Sequence, residues 1–184
     1  MTTTTTPTET PIAPAGTWQL DAVHSQVGFE IAYLSGTFKG QFREFDGKLV
    51  ADGDDETLEG TVQVASVDVK DENLSAHLQS PDFFDAEQHP ELRFTATDIS
   101  LEGENVNVRG ELTIKGSTQP TEVTGTVAAP LTDAYGRERV GLKLATTIDR
   151  TAFGVDWNIA LPSGEPSLAD DVTINAELYF VKAA

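Results

Sequence analysis

From Thr17 to Lys182 apolar and polar residues alternate with a period of two, the pattern of strands that bury one face and wet the other. Val27, Phe29, Ile31 and Tyr33 share one parity, while Gln26, Gly28 and Glu30 take the other. Val106, Val108, Gly110, Leu112 and Ile114 alternate with Asn107, Arg109, Glu111 and Thr113. Val140, Leu142, Leu144, Thr146 and Ile148 do the same, as do Val172, Ile174, Ala176, Leu178 and Phe180. Similar stretches at roughly 36–50, 57–69, 91–101 and 120–131 bring the total to about eight strands. Phe38, Gly40 and Phe42 share a parity that Phe45, Gly47 and Leu49 break, which predicts a β-bulge between them. Strands with one apolar face must cover those faces with one another, in a sandwich or a closed barrel. Many of these run roughly 10–14 residues, above the usual five or six, and that favours an extended antiparallel barrel. An outer-membrane barrel would alternate with its faces reversed, and the chain shows neither aromatic girdles nor an export signal.

Helical signal is confined to an insertion at about 71–90. Ser80, Pro81 and Asp82 suit the N-cap, first turn and positive dipole end of a short turn through Phe83, Phe84 and Asp85, and Asp71 to Leu78 suit another. A long interruption with structure of its own suits a lid, so this one is expected over a barrel mouth. Asp156 to Asp170, with Trp157 and two prolines, is expected on the same rim.

Small residues recur among bulky ones on the apolar parity: Gly40 between Phe38 and Phe42, Gly60 between Leu58 and Val62, Gly110 between Val108 and Leu112, Gly125 between Val123 and Val127, and Ala176 between Ile174 and Leu178. An eight-stranded barrel is just wide enough to be filled by side chains or to hold one small ligand. Small inward residues point to the second; strain relief at sharply coiled strands explains glycines equally well, so a packed core stays open. A cavity here would be lined by Phe, Val, Leu and Ile and would take an apolar ligand. Phe83, Phe84, Phe94, Phe153 and Trp157 extend that surface or serve as core.

Twelve Lys and Arg against 30 Asp and Glu leave a formal net charge of −18. That field repels phosphate backbones and anionic membranes, so neither nucleic-acid binding nor stable membrane insertion is expected. No run approaches the roughly 18 apolar residues of a membrane helix. With no cysteine in 184 residues, disulfides, thiolate catalysis and cysteine-ligated metals are excluded. Residues 1–15, almost all Thr, Pro, Ala and Glu, are expected as a disordered tail before a single domain at 16–184. They lack the basic start and apolar centre of a secretory signal, so the expected compartment is the cytoplasm.

Catalytic motifs are missing. His24, His77 and His89 are the only histidines, and none has the i, i+4 spacing of a helical zinc site, so no metal is expected. His24 and Ser25 are adjacent, and adjacent strand residues face opposite ways, so they do not make a nucleophile and its base. No nucleophile elbow, phosphate loop or dinucleotide fingerprint occurs, and no enzyme activity is expected.

Trp18-x-x-Asp21-x-x-His24-Ser25-x-Val27-x-Phe29 resembles the opening signature of YceI-like proteins. Further matches follow in order: Gly40-x-Phe42 with Phe45-x-Gly47; His77-Leu78-x-Ser80-x-Asp82-Phe83-Phe84-Asp85 with Pro90 and Phe94; Gly110-x-Leu112-Thr113-Ile114-x-Gly116-x-Thr118; and Arg150-x-x-Phe153-Gly154. The resemblance runs from about Thr17 to Lys182. It implies a lipocalin-like barrel, often exported in relatives, that holds a polyisoprenoid chain as carrier or store, without a cofactor and as monomer or homodimer. The expected ligand contacts are His24, Phe29, Ile31, Phe38, Phe42, His77, Leu78, Phe83, Phe84, Phe94, Leu112, Ile114, Phe153 and Trp157. The chain departs from many relatives by having Tyr33 or Leu34 in place of a histidine and Leu74-Ser75 in place of Arg-Asp, which removes polar groups near a ligand head. The competing expectations are a stress-related or protein-interaction barrel with a filled core, and a small lipocalin-like enzyme using His24 or His77 at the mouth.

Overall fold

The computed structural model describes residues 11–53 and 55–183. Eight long strands form an antiparallel barrel, and three of them are broken in the middle. The first is split into β1 (Gly16–Leu20) and β2 (Gln26–Tyr33), the second into β3 (Gly36–Phe42) and β4 (Phe45–Asp52), and the third into β5 (Asp55–Gln63) and β6 (Val67–Asp68). The remaining five are continuous: β7 (Glu91–Glu102), β8 (Asn105–Ile114), β9 (Ser117–Thr132), β10 (Glu138–Asp149) and β11 (Leu168–Lys182).

Closure depends on β11, which is long enough to serve two partners. Its C-terminal end pairs with β1, Leu20 opposite Phe180 and Trp18 opposite Lys182, while its earlier residues pair with β2, Phe29 opposite Ile174. The ring therefore runs β1-β4-β5-β7-β8-β9-β10-β11 and back to β1. At the other end β2, β3 and β6 continue the sheet, and β6 forms its edge.

The parity change between Phe42 and Phe45 is larger than the bulge it predicted. Both phenylalanines reach the interior although they are three residues apart, so the chain must leave the period of two. It does so by ending β3 at Phe42 and restarting as β4 at Phe45. Gln63 donates to the Glu44 carbonyl at 2.9 Å, and the Arg43 guanidinium pairs with Asp68, so the break is tied to the third strand. Leaving β6, the chain forms α1 (Glu72–Gln79), started by Asp71, whose side chain accepts the Leu74 N–H at 2.9 Å. The helix is the turn expected over Asp71 to Leu78. Ser80 ends it, donating its hydroxyl to the His77 carbonyl at 2.6 Å, and the short turn expected from Ser80 follows, with the Phe83 and Asp85 N–H groups donating to the Ser80 carbonyl, each at 3.0 Å. Turns continue to Gln88.

The interior holds two apolar clusters. One, at the β1 end, is built around the fully buried Trp18, Leu49, Val108, Leu142 and Phe180. The other gathers Phe42, Leu78, Phe83, Ile114, Phe153 and Val155 beneath α1 and the turns after it. The first cluster corrects the expected tail. Residues 1–10 lie outside the described residues, but Ile12 and Ala13 are buried in it. The Glu56 carboxylate accepts the Ile12 N–H at 2.9 and 3.1 Å, and the Trp18 indole donates to the Pro14 carbonyl at 3.0 Å. A composition of Thr, Pro and Ala hid one isoleucine of the size to close the barrel end. Burial raises the Glu56 carboxyl above its ordinary pKa, with the Ile12 and Ala13 amides pulling the other way.

Ile12→Ala removes a buried side chain that caps the barrel, and is expected to cost about 2 kcal/mol. The urea midpoint measures it; a midpoint equal to that of the parent chain would mean that residues 11–15 are undocked in solution.

Candidate functional site

Between the two clusters the barrel is hollow. A cavity of about 400 Å³ runs from Leu20 and Phe180 at the sealed end to Tyr33 and Trp157 at the other. It reaches the surface at Tyr33, which lines it and is 44% exposed. The expectation of a filled core therefore does not hold for this half of the interior.

Every expected contact except His24 is on the wall. Phe29, Ile31, Phe38 and Phe42 arrive from β2 and β3, Phe94 from β7, and Leu112 and Ile114 from β8. His77 and Leu78 come from α1, Phe83 and Phe84 from the turns after it, and Phe153 and Trp157 from the connection between β10 and β11. The insertion at 71–90 thus covers part of the cavity, as its length suggested. The aromatic rings fall into two groups, Phe29, Phe38, Phe42 and Phe84 in one and His77, Phe83 and Trp157 in the other. Phe29 lies 5.7 Å from Phe42 and Phe42 lies 6.0 Å from Phe84 between ring centres. His77 stands edge-on to both Phe83 and Trp157 at 4.9 Å, and its Nε2 is 3.1 Å from the Asp82 carboxylate. Such edge-to-face geometry fixes ring orientation as well as burying area.

The wall offers few free polar groups. The Thr146 hydroxyl donates to the Glu122 carbonyl at 2.8 Å and that of Thr121 to the Gln119 carbonyl at 3.1 Å, so both are spent on the strands. The sequence reading missed Arg150 as a wall residue. Its buried guanidinium donates from Nε to the Ala169 carbonyl at 2.8 Å, and from Nη1 to those of Val155 and Trp157 at 2.8 and 2.9 Å. Nη2 is 3.8 Å from the Asp170 carboxylate, and burial pulls the guanidinium below its ordinary pKa without discharging it. Arg150 therefore clamps the loop that presents Trp157. The signal was present in Arg150-x-x-Phe153-Gly154, where Gly154 takes a φ of 76° to turn the chain back. Phe45, Leu92 and Val123 also line the cavity; Leu92 and Val123 carried only their parity as a signal, and Phe45 also its place in Phe45-x-Gly47.

His24 is a correction. It sits in the turn between β1 and β2, largely exposed and away from the cavity, with Nδ1 2.7 Å from the Asp21 carboxylate. Asp21 also accepts from Arg139 of β10 at 2.9 Å, and that guanidinium above all holds its carboxyl down at about 2. Ser25 is buried, and its hydroxyl accepts the Tyr179 N–H of β11 at 3.0 Å. Asp21, His24 and Ser25 thus fasten the break in the first strand to β10 and β11. His24 and Ser25 lie in a turn and not on a strand as expected, but they have separate partners and form no nucleophile–base pair.

The small residues divide in two. Gly60 lines the cavity, and the nearest heavy atom to a Cβ placed there is the Asp46 carbonyl at 3.9 Å, so it does leave open space. Gly40 does not, because the Phe29 ring across the strand lies over it, 2.5 Å from where a Cβ would be. A Cβ on Gly110 would meet the Thr95 carbonyl at 2.3 Å, and one on Gly125 the Lys143 carbonyl at 1.7 Å. There the strands coil so closely that only glycine fits.

The model of the YceI-like domain matches residues 18–180, nearly the whole barrel. The chain belongs to the YceI-like family. A UPF0312 protein of Staphylococcus epidermidis is 33% identical over 171 residues, covering 89% of this chain and 96% of its own. Protein YceI of Escherichia coli is 28% identical over 158 residues, 84% of this chain and 81% of its own. Among solved structures, BcnA of Burkholderia cenocepacia superposes with a TM-score of 0.73 at 26% identity over 87% of this chain and 98% of BcnA. A domain from Saccharophagus degradans, described as polyisoprenoid-binding, shares the YceI-like fold with a TM-score of 0.68 at 13% identity, over 90% of this chain and 98% of that domain.

Two substitutions separate open from crowded glycines. Gly60→Leu should fold and fill part of the cavity, whereas Gly125→Ala should cost about 3 kcal/mol because a strand must move; circular dichroism melts of the two would be the reverse if the cavity lay elsewhere. Asp21 is a test in the acid range. Its folded pKa lies below the unfolded value near 3.8, so its contribution is present above about pH 4 and fades as pH falls toward 2. Asp21→Asn should therefore be less stable than the parent at pH 7 by about 1 kcal/mol, with water screening discounted, and the gap should close by pH 2.

Proposed function

We propose that this chain carries or stores one long apolar lipid, a polyisoprenoid, in the barrel interior and does no chemistry on it. The observation behind this reading is the cavity: about 400 Å³, within the range of ligand sites, and walled mainly by aromatic and aliphatic side chains, with the Thr121 and Thr146 hydroxyls already paired and Arg150 Nη2 the buried side-chain polar atom without a hydrogen bond among the described residues. Each buried methylene of a guest gains about 0.8 kcal/mol, so a long chain needs no polar recognition along its length. The description of the Saccharophagus degradans domain as polyisoprenoid-binding supports the same guest. His77 is the wall residue best suited to a polar head, since it is part-exposed and lies among the rings of the mouth. The separate engagements of His24 and Ser25 favour binding over catalysis.

Solvent extraction of the purified full-length chain followed by mass spectrometry tests this. A prenyl species at near one equivalent, and a thermal shift on adding isoprenoids to stripped protein, are expected. An empty extract with no shift for any isoprenoid would rule the reading out.

A further inference from the structure

Two large apolar side chains stand in water next to Tyr33, where the cavity meets the surface. Leu34 and Ile159 are each 57% exposed. Backbone hydrogen bonds join the loops that carry them: the Leu34 N–H donates to the Ser167 carbonyl at 3.0 Å, and the Ser167 N–H donates to the Ile159 carbonyl at 3.1 Å. The Asn158 side chain accepts the N–H groups of Ser167 and Leu168, each at 3.1 Å, so the lip is held in shape.

Leucine is a poor choice for position 34. Tyr33 pairs with Gly36, which makes Leu34-Ser35 a two-residue hairpin turn, and Leu34 has a φ of 51°. Turns of this kind favour Asn, Asp or Gly at that conformation. Where a residue breaks local turn chemistry and exposes apolar surface at the same time, a use for that surface is the consistent explanation.

The charge around the lip narrows the partner. No Lys or Arg occurs from Thr151 to Val181, while Asp156, Glu165 and Asp170 lie in that stretch. Lys39 of β3 is 3.5 Å from Glu30 and partly neutralised. The lip therefore has no cationic grip for anionic headgroups, and the chain as a whole carries −18. We infer that Tyr33, Leu34 and Ile159 form an apolar lip that docks on the surface of an uncharged lipid bilayer, opening the cavity directly into the membrane. This rests on the lipid reading above. A guest too apolar to cross water is handed over by contact, with a tyrosine at headgroup depth and two aliphatic tips below it, a shallow and reversible attachment.

Leu34→Asn combined with Ile159→Gln tests the lip without threatening the fold, because both sites are exposed and asparagine suits the turn. The full chain, stripped of lipid, is floated with phosphatidylcholine vesicles, and transfer of a fluorescent isoprenoid from those vesicles is timed. The parent chain should float, lose binding when phosphatidylglycerol replaces part of the lipid, and transfer faster as vesicle concentration rises. The double variant should lose about tenfold in flotation and transfer rate. Its loading from a cyclodextrin complex, which bypasses the membrane, should be unchanged. A variant that floats and transfers like the parent overturns the inference. So does a parent that ignores vesicles, or one that forms a dimer abolished by the same two substitutions, which would assign the lip to a second copy. If nothing loads from cyclodextrin the lipid reading fails, and flotation of the empty chain still decides the lip.

Discussion

The structure depends on one strand being paired twice. β11 offers its last residues to β1 and its earlier ones to β2, and without that double service the ring would have two open edges. The arrangement has a geometric consequence for the first three strands. Each is divided where the barrel changes from a closed ring to a wider, partly open sheet, and the breaks at residues 21–25, 43–44 and 64–66 fall side by side. Below them Trp18, Leu49, Leu142 and Phe180 pack across the interior, above them Phe42, Leu78, Phe83 and Phe153 pack under the insertion, and space remains between the two clusters.

That division explains what could be read from the chain alone. Alternation showed which faces turn inward, and the wall residues from Phe29 to Trp157 follow from parity and from the family resemblance. What parity cannot show is depth or distance. Gly60 and Gly110 look alike in sequence, and only the approach of the neighbouring Thr95 carbonyl tells them apart. His24 was assigned to the ligand because it stands in a signature beside residues of the wall, yet the signature records a fastening between strands far apart in the chain, with Arg139 as a partner 118 residues away. Both helical turns of the insertion were legible from their capping residues, Asp71 for α1 and Ser80 for the turn after it, but not which of them would extend into a helix.

The charge balance falls into place by separation. Acidic residues crowd the outer face and the loops, whereas the charged groups that matter internally are few and each has a defined partner: Glu56 with the Ile12 amide, Arg150 with three carbonyls, Asp21 with Arg139. A net charge of −18 is compatible with an apolar interior because none of it has to be brought inside unpaired.

The plug of Ile12 and Trp18 gives the tube a floor. A linear guest entering from the Tyr33 end would come to rest against Leu20 and Phe180. A blind tube is a depth gauge. Guests shorter than its length leave empty apolar wall, and longer ones must leave part of their chain outside, so the distance from floor to rim sorts linear lipids by length even when every segment of the wall attracts them equally.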